Sequence, residues 1–389
     1  MMKQNDIKSL ITPTIIFLLA LLLSACATQG QSSGNMSGEF RIEADDVFNH
    51  LAKEISEDIP GLTVSVGLEN DIVYRNAFGL SNIETKQPVT ARTRFRIYST
   101  SKSIGAITAM ILAESGELKL DAPISTYLPN IPKQLASITT RQIMAHHSGI
   151  RHYNSGEWLN VSDFNCSSPQ EALPDFINDP LKFKPGTGFQ YSTFAYALLA
   201  AIVESAADTP FDELMEERVF GPAGMKATAI EGRAIEGYET SKFYFQKDEE
   251  NLEFVETIGV DSSCKYFGGG FVSTSEDLAR LGLALINGKL LTESSLNEVW
   301  RLHTVANYEA NVPPYGLGFF SGEHLVAVFG VAEEDYHESW MHGGASPGGF
   351  SVLIIYPKNK TVVAMTMNAK AGKSIPVAAN SIALPFMRK

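Results

Sequence analysis

The sequence predicts an α+β protein in which one antiparallel sheet is assembled from both ends of the chain, with a mostly helical region inserted between them. Three observations lead there. Apolar residues alternate near the start, at Leu62, Val64, Val66 and Leu68, and β-branched runs return near the end, at 351–356 and 361–368. Between these two regions apolar residues recur at helical spacing. The strand–helix alternation that a parallel sheet requires is missing.

The elements follow in order. Val47, Leu51 and Ile55 give a first amphipathic helix, which Pro60-Gly61 ends. Strands at 62–68 and 72–77 flank the turn Glu69-Asn70-Asp71 and read as a hairpin. Helices are expected at 102–115, 141–145, 194–207, 211–219 and 276–287. Strands are expected at 325–329, 351–356 and 361–368, and a last helix at 375–383. The stretch 166–185 is expected to loop over the site. Trp158, Trp300 and Trp340 read as packing residues, with Trp340 near enough to His342 in sequence to wall a cleft. Glu333-Glu334-Asp335 reads as a solvated turn.

Composition excludes several function classes. The 389 residues hold 31 Lys and Arg against 44 Asp and Glu, a net charge of −13, and 44% of them are hydrophobic. That is a packed globular composition rather than a disordered one. An acidic chain without a basic block has no generic reason to bind nucleic acid. A multi-pass membrane protein is excluded because there is only one long apolar run, at 15–25. That run is short of the roughly 18 residues a spanning helix needs. It follows Lys3 and Lys8, so it reads as a signal-peptide core.

The run ends Leu23-Ser24-Ala25-Cys26, which resembles a bacterial lipobox. The reading is a lipoprotein signal over 1–25 with Cys26 as the lipidated residue; an ordinary secretory signal is the simpler rival. Several acyl chains on one residue anchor firmly, whereas one chain binds marginally. A Ser-, Gly- and Gln-rich tether covers 26–41 and the folded domain 42–389. In the lipoproteins this resembles, a residue such as Ala27 after the cysteine permits outer-membrane sorting. The expected location is therefore an exported, membrane-anchored lipoprotein, facing the periplasm if the host has an outer membrane.

Cys166 and Cys264 remain after Cys26. Export permits a disulfide, but the sequence leaves open whether they pair or are two buried thiols. His146, His147 and His152 lack an acidic or Cys partner at ligand spacing, so neither a metal nor a cofactor is expected.

Ser99-Thr100-Ser101-Lys102 is an S-x-x-K motif at the start of a predicted helix. The spacing puts Lys102 one turn from Ser99 on the same side. A serine hydroxyl is a weak nucleophile until a base takes its proton. A lysine held neutral by burial and nearby positive charge can be that base. Ser262-Ser263-Cys264-Lys265 matches the same pattern but runs into Gly268-Gly269-Gly270, which cannot begin a stable helix. Tyr191-Ser192-Thr193 opens a later helix. Tyr191 beside a lysine cation could ionise more easily and serve as a base. Met341-His342-Gly343-Gly344-Ala345 precedes a strand, where glycines let a substrate lie close and a backbone N–H can serve as an oxyanion donor.

Ser-x-x-Lys, Tyr-Ser-x and His-x-Gly in this order resemble the penicillin-binding serine hydrolases related to class C β-lactamases. The run His147-Ser148-Gly149-Ile150-Arg151-His152-Tyr153 and the triple glycine look most like the mitochondrial-type serine β-lactamase-like proteins and their bacterial relatives. The likeness spans roughly 42–389. It implies a β-lactamase/transpeptidase-like fold and the following roles. Ser99 is acylated, Lys102 shuttles its proton, and Tyr191 faces the leaving group. The N–H groups of Ser99 and Ala345 form the oxyanion hole, and Thr193, His342 and Gly344 contact substrate.

Two residues depart from that pattern. Thr193 stands where many relatives have Asn, and His342 where β-lactamases usually have Lys. A histidine is mostly neutral at pH 7 and cannot be a fixed carboxylate-binding cation. A peptidase, amidase or esterase acting on a small peptide, amide or ester is therefore expected rather than a strong β-lactamase.

Two other readings compete. Gly344-Ala345-Ser346-Pro347-Gly348 fits the G-x-S-x-G nucleophile elbow, but that elbow needs a helix after it and here a strand follows. A tethered scaffold or binding protein with a vestigial site is the non-enzymatic reading, against which the intact Ser99, Lys102 and Tyr191 weigh. Oligomeric state is not readable from the sequence.

Overall fold

In the computed structural model the described residues are 38–55, 59–154, 157, 166–174, 176–246, 253–257, 261–305, 314–346, 348–370 and 374–388. The signal segment, Cys26, most of the tether, Trp158 and Pro347 lie outside them. Residues Met36–Lys389 form one compact unit.

Among the described residues seven strands form the main sheet. They are β1 (Gly61–Leu68), β2 (Asp71–Asn82), β3 (Gln87–Pro88), β10 (Phe320–Ser321), β11 (Trp340–Ser346), β12 (Gly349–Tyr356) and β13 (Thr361–Met367), in the order β10-β11-β12-β13-β1-β2-β3. The two chain ends meet as predicted, with β1 antiparallel to β13 and Leu62 opposite Met367. A smaller sheet joins β4 (Thr93–Arg96), β5 (Ala229–Ile230), β6 (Glu239–Thr240) and β9 (Phe271–Ser273); β7 (Tyr244–Gln246) and β8 (Phe254–Glu256) pair as a hairpin.

The central strands β12 and β13 are buried on both faces, which explains why they read as continuous apolar runs. Val352, Ile354, Val363 and Met365 face a cluster formed with Phe48, Leu51, Ile375 and Ala379. The last four come from helices α1 (Gly38–Ile55) and α7 (Ser374–Met387). Leu353, Ile355, Val362 and Ala364 face the opposite way. They share a second cluster with Leu278 and Leu281 of α5 (Ser275–Ile286), and with α2 (Ser101–Glu114) and α4 (Thr193–Ala207). The remaining labelled helices are α3 (Thr140–Met144) and α6 (Glu293–Trp300); the latter was not read from the sequence.

One local expectation fails, and one expected helix is irregular. Residues 325–329 form a wide helical turn, not a strand, closed by Gly330 at φ 80°. Their β-branched residues have no strand to pair with, and Val328 is 41% exposed. The helix expected at 211–219 is α only over Phe211–Met215 and widens at Glu216–Phe220. Trp340 stacks on Trp300 at 6.2 Å, in the packing role expected of both.

Candidate active site

The nucleophile turn is held by its neighbours. Tyr98–Thr100 form a single 3-10 turn that runs into α2. Tyr98 has φ 44°, a conformation that a bulky residue adopts only under constraint. The constraint comes from β12, where the Ser351 hydroxyl donates to the Ile97 carbonyl at 2.6 Å and lies 2.8 Å from Thr100 Oγ1. Gly344 of β11 passes so close that a Cβ there would lie 2.8 Å from the Ser99 nitrogen and 2.2 Å from the Ile97 oxygen. The N-terminus of α2 points its partial positive charge at this turn.

Lys102 is fully buried, with Nζ 3.0 Å from Ser99 Oγ, 2.7 Å from the Gly268 carbonyl and 3.3 Å from Thr193 Oγ1. Burial, and then the neighbouring Lys265 cation, hold it well below the usual lysine range. A glycine is required at 268, since a Cβ there would strike Thr193 at 2.6 Å.

Tyr191 and Thr193 are delivered by the start of α4. Ser192 is its N-cap: the hydroxyl accepts the Ala195 N–H at 3.0 Å and donates to the Arg151 carbonyl at 2.7 Å. Lys102 Nζ lies 4.9 Å from the Tyr191 ring centre. Burial pushes the Tyr191 phenol up, against a lowering hydrogen bond with Ser99. The phenol therefore stays protonated at neutral pH. The expectation that Lys102 would lower its pKa is reversed, because burial dominates.

The histidine run supports this end of α4. The His146 and His147 carbonyls accept the N–H groups of Gln190 and Gly186. His146, at φ 60°, accepts the Ser192 N–H on Nδ1 and packs its ring 4.4 Å from Tyr191. His152 Nδ1 accepts the Thr193 N–H at 3.2 Å, and burial pulls its pKa down to about 4. Sequence reasoning weighed these residues as metal ligands and as part of a family likeness, and gave them no role in placing Tyr191 and Thr193.

A cavity of about 300 Å³ opens over Ser99. Its wall includes Tyr98, His152, Thr193, Lys265, Ala345 and Lys370. Ser99 and Ala345, the two expected oxyanion donors, are therefore on one wall, with Thr193 beside them. His342 is not on it. Its side chain is 1% exposed, with Nδ1 2.8 Å from the Gly343 carbonyl and Nε2 3.2 Å from the Tyr315 hydroxyl. A carbonyl only accepts, so Nδ1 carries the proton and Tyr315 donates to Nε2. Burial brings the pKa of His342 down to about 3.

The loop expected over the site is corrected, while the nucleophile elbow stays excluded. Ser346 reaches the cavity, but β12 rather than a helix follows it, so no nucleophile elbow exists. Among the described residues, none of 166–185 lines the cavity. That stretch instead packs beside it, tied by a Cys166–Cys264 disulfide. The second S-x-x-K closes on itself, with Lys265 Nζ 3.3 Å from Ser262 Oγ.

Comparison with known proteins agrees with this architecture. The human mitochondrial serine beta-lactamase-like protein LACTB is 28% identical, with 80% of this chain and 71% of that protein covered. Esterase EstB of Burkholderia gladioli is 31% identical over 47% of this chain and 49% of its own. The solved D-amino acid amidase of Ochrobactrum anthropi, complexed with L-phenylalanine amide, superposes with a TM-score of 0.73 at 21% identity. It covers 88% of this chain and 97% of its own. The Beta-lactamase family model matches residues 45–384, and so the chain belongs to the beta-lactamase family of serine hydrolases.

Proposed function

We propose that this protein hydrolyses a peptide, amide or ester through an acyl-enzyme on Ser99. The observation that carries this is a fully buried Lys102, its pKa held well below the usual lysine range by burial, with Nζ 3.0 Å from the Ser99 hydroxyl. Ser99 Oγ attacks the substrate carbonyl carbon while Lys102 takes its proton. Charge gathers on the carbonyl oxygen, where the N–H groups of Ser99 and Ala345 donate to it. As the bond to the leaving group breaks, Tyr191 passes a proton to that group and is recharged from Lys102. Water then attacks the ester carbon along the same proton path in reverse, and Ser99 is restored.

Thr193 borders the substrate, Gly344 packs against the nucleophile turn instead, and His342 supports Tyr315 rather than touching substrate. A neutral His342 leaves the third-motif position without the fixed cation that β-lactamases have there, which supports a peptidase or esterase. EstB and the amidase supply precedent for ester and amide substrates on this framework. An inert scaffold is disfavoured, because it has no use for an uncharged lysine held against a serine.

The test is labelling of the domain lacking residues 1–38 with a fluorophosphonate, followed by peptide mapping. An adduct on Ser99, absent in Ser99→Ala, is expected. An adduct on Ser346 or none at all on folded protein would overturn the reading.

We further propose that Cys26 is lipidated and holds the enzyme at an exported membrane face, on the strength of the lipobox-like Leu23-Ser24-Ala25-Cys26. Metabolic labelling with a palmitate analogue should tag the full chain and not Cys26→Ala.

A further inference from the structure

Charge on the cavity wall runs against charge on the chain. The protein carries −13, yet the wall holds Lys265 and Lys370 and, among the described lining residues, no Asp or Glu. The third-motif position offers no cation, since His342 is neutral and off the wall. Lys265 is different. Its side chain is 8% exposed, and its nitrogen has Ser262 Oγ at 3.3 Å and the Tyr153 ring at 6.0 Å.

The neighbouring carboxylates are committed elsewhere. Glu231 Oε1 takes Arg96 at 2.7 Å and Glu231 Oε2 takes the Ser262 N–H at 3.0 Å. Asp261 takes the Ser263 N–H. Among the described residues no carboxylate forms an ion pair with Lys265. An ammonium has three donors, and a buried one without a contact ion pair is costly; burial brings Lys265 down to about 8, with Glu231 and Asp261 acting on it only through space. A ligand carboxylate would supply both the charge and the acceptor.

We propose that Lys265 binds a carboxylate on the substrate, so that this enzyme selects esters or amides bearing a free carboxylate near the scissile bond, with Lys370 at the rim drawing such substrates in. The proposal rests on the acyl-enzyme reading of Ser99. It assigns to the loop before the triple glycine the work that a third-motif lysine would do. The turn is built for it: Glu231 fixes both Arg96 and the backbone of Ser262, and the Cys166–Cys264 bridge fixes the residue next to Lys265. Substrate bound there also keeps Lys265 charged, which keeps Lys102 neutral.

Two matched substrate pairs test this: 4-nitrophenyl hydrogen adipate against its methyl ester, and 3-acetoxybenzoate against its methyl ester. The first carries the carboxylate on the acyl group, the second on the leaving group. In one pair at least, kcat/KM should favour the acid by about tenfold or more. Lys265→Met should lower that ratio by a similar factor, and Lys265→Arg should keep most of it. The ratio is the readout because it cancels any loss common to both substrates.

In parallel, saturation-transfer NMR on Ser99→Ala compares adipamate with adipamide, with and without Lys265→Met. Turnover with no acid preference, or a preference untouched by Lys265→Met, overturns the proposal and leaves the hydrolase reading standing. Adipamate binding that depends on Lys265, with no turnover of any ester, supports Lys265 and sinks the hydrolase reading. Neither turnover nor selective binding overturns both.

Discussion

Lys102 Nζ lies 3.0 Å from Ser99 Oγ across one turn of the chain, and the lysine is fully buried. A nucleophile and its base that act as one unit lose nearly everything when either is removed. Lys102→Met keeps the volume and removes the base. It should lower kcat/KM by about a thousandfold or more, and Ser99→Ala should do no worse. The double variant should match the singles. If the two losses multiply instead, the residues act independently and the mechanism falls.

The acid limb of the pH profile should follow Lys102. Its pKa is depressed, so the neutral, proton-accepting form prevails above that pKa and is lost as pH falls through it. Turnover of a neutral ester should therefore be present at neutral pH and fall on acidification. Lys265 contributes to the depression after burial. Lys265→Met should move the limb to higher pH, and Lys265→Arg should not. His152 and His342, at about 4 and about 3, are too low to produce a limb near neutrality. A limb that stays fixed in Lys265→Met would assign it to another group.

Two glycines one residue apart make opposite predictions. A Cβ on Gly344 would meet the Ile97 oxygen, Ser351 Oγ and the Ser99 nitrogen, whereas on Gly343 the nearest atom is 3.7 Å away. Backbone cannot move aside cheaply, so Gly344→Ala should cost about 1–3 kcal/mol and displace the Ser99 N–H. Gly343→Ala should be close to neutral. Chemical denaturation with fluorophosphonate labelling rates separates the two effects. Equal behaviour of the variants would mean that β11 is not held against the nucleophile turn as described.

The parts legible in the sequence were those with a local signature. Ser99 and Lys102 are three residues apart, and the terminal strands alternate or run apolar, so motif and sheet could be read directly. Lys265 was visible only as a second S-x-x-K that seemed spoiled by glycines. Its importance comes from a kink at Tyr266, with φ 43°, and from Glu231 holding Ser262 from a distant segment. His342 was overvalued because sequence shows a residue's type and not that Tyr315 and Gly343 consume both its nitrogens. Residues 325–329 have strand composition, but pairing is a tertiary property and no strand accepts them.

The Cys166–Cys264 bridge joins residues 98 apart. Closing so long a loop removes much of the unfolded chain's freedom, a contribution of about 4–5 kcal/mol in the chain-entropy account. Its second consequence is local. Cys264 adjoins Lys265, and the Tyr266 hydroxyl donates to the Cys166 carbonyl at 3.4 Å, so the bridge clamps the turn that carries the cavity lysine. Cys166→Ser with Cys264→Ser should unfold at lower urea, by about 2–4 kcal/mol. Under conditions where the variant is still folded, Lys102 and Ser99 keep their contact, so fluorophosphonate labelling of Ser99 should persist. Selection for a carboxylate should weaken, because Lys265 is less firmly placed. Loss of stability with selectivity intact would make the bridge a purely global restraint, and Lys265 would then owe its position to Glu231 alone.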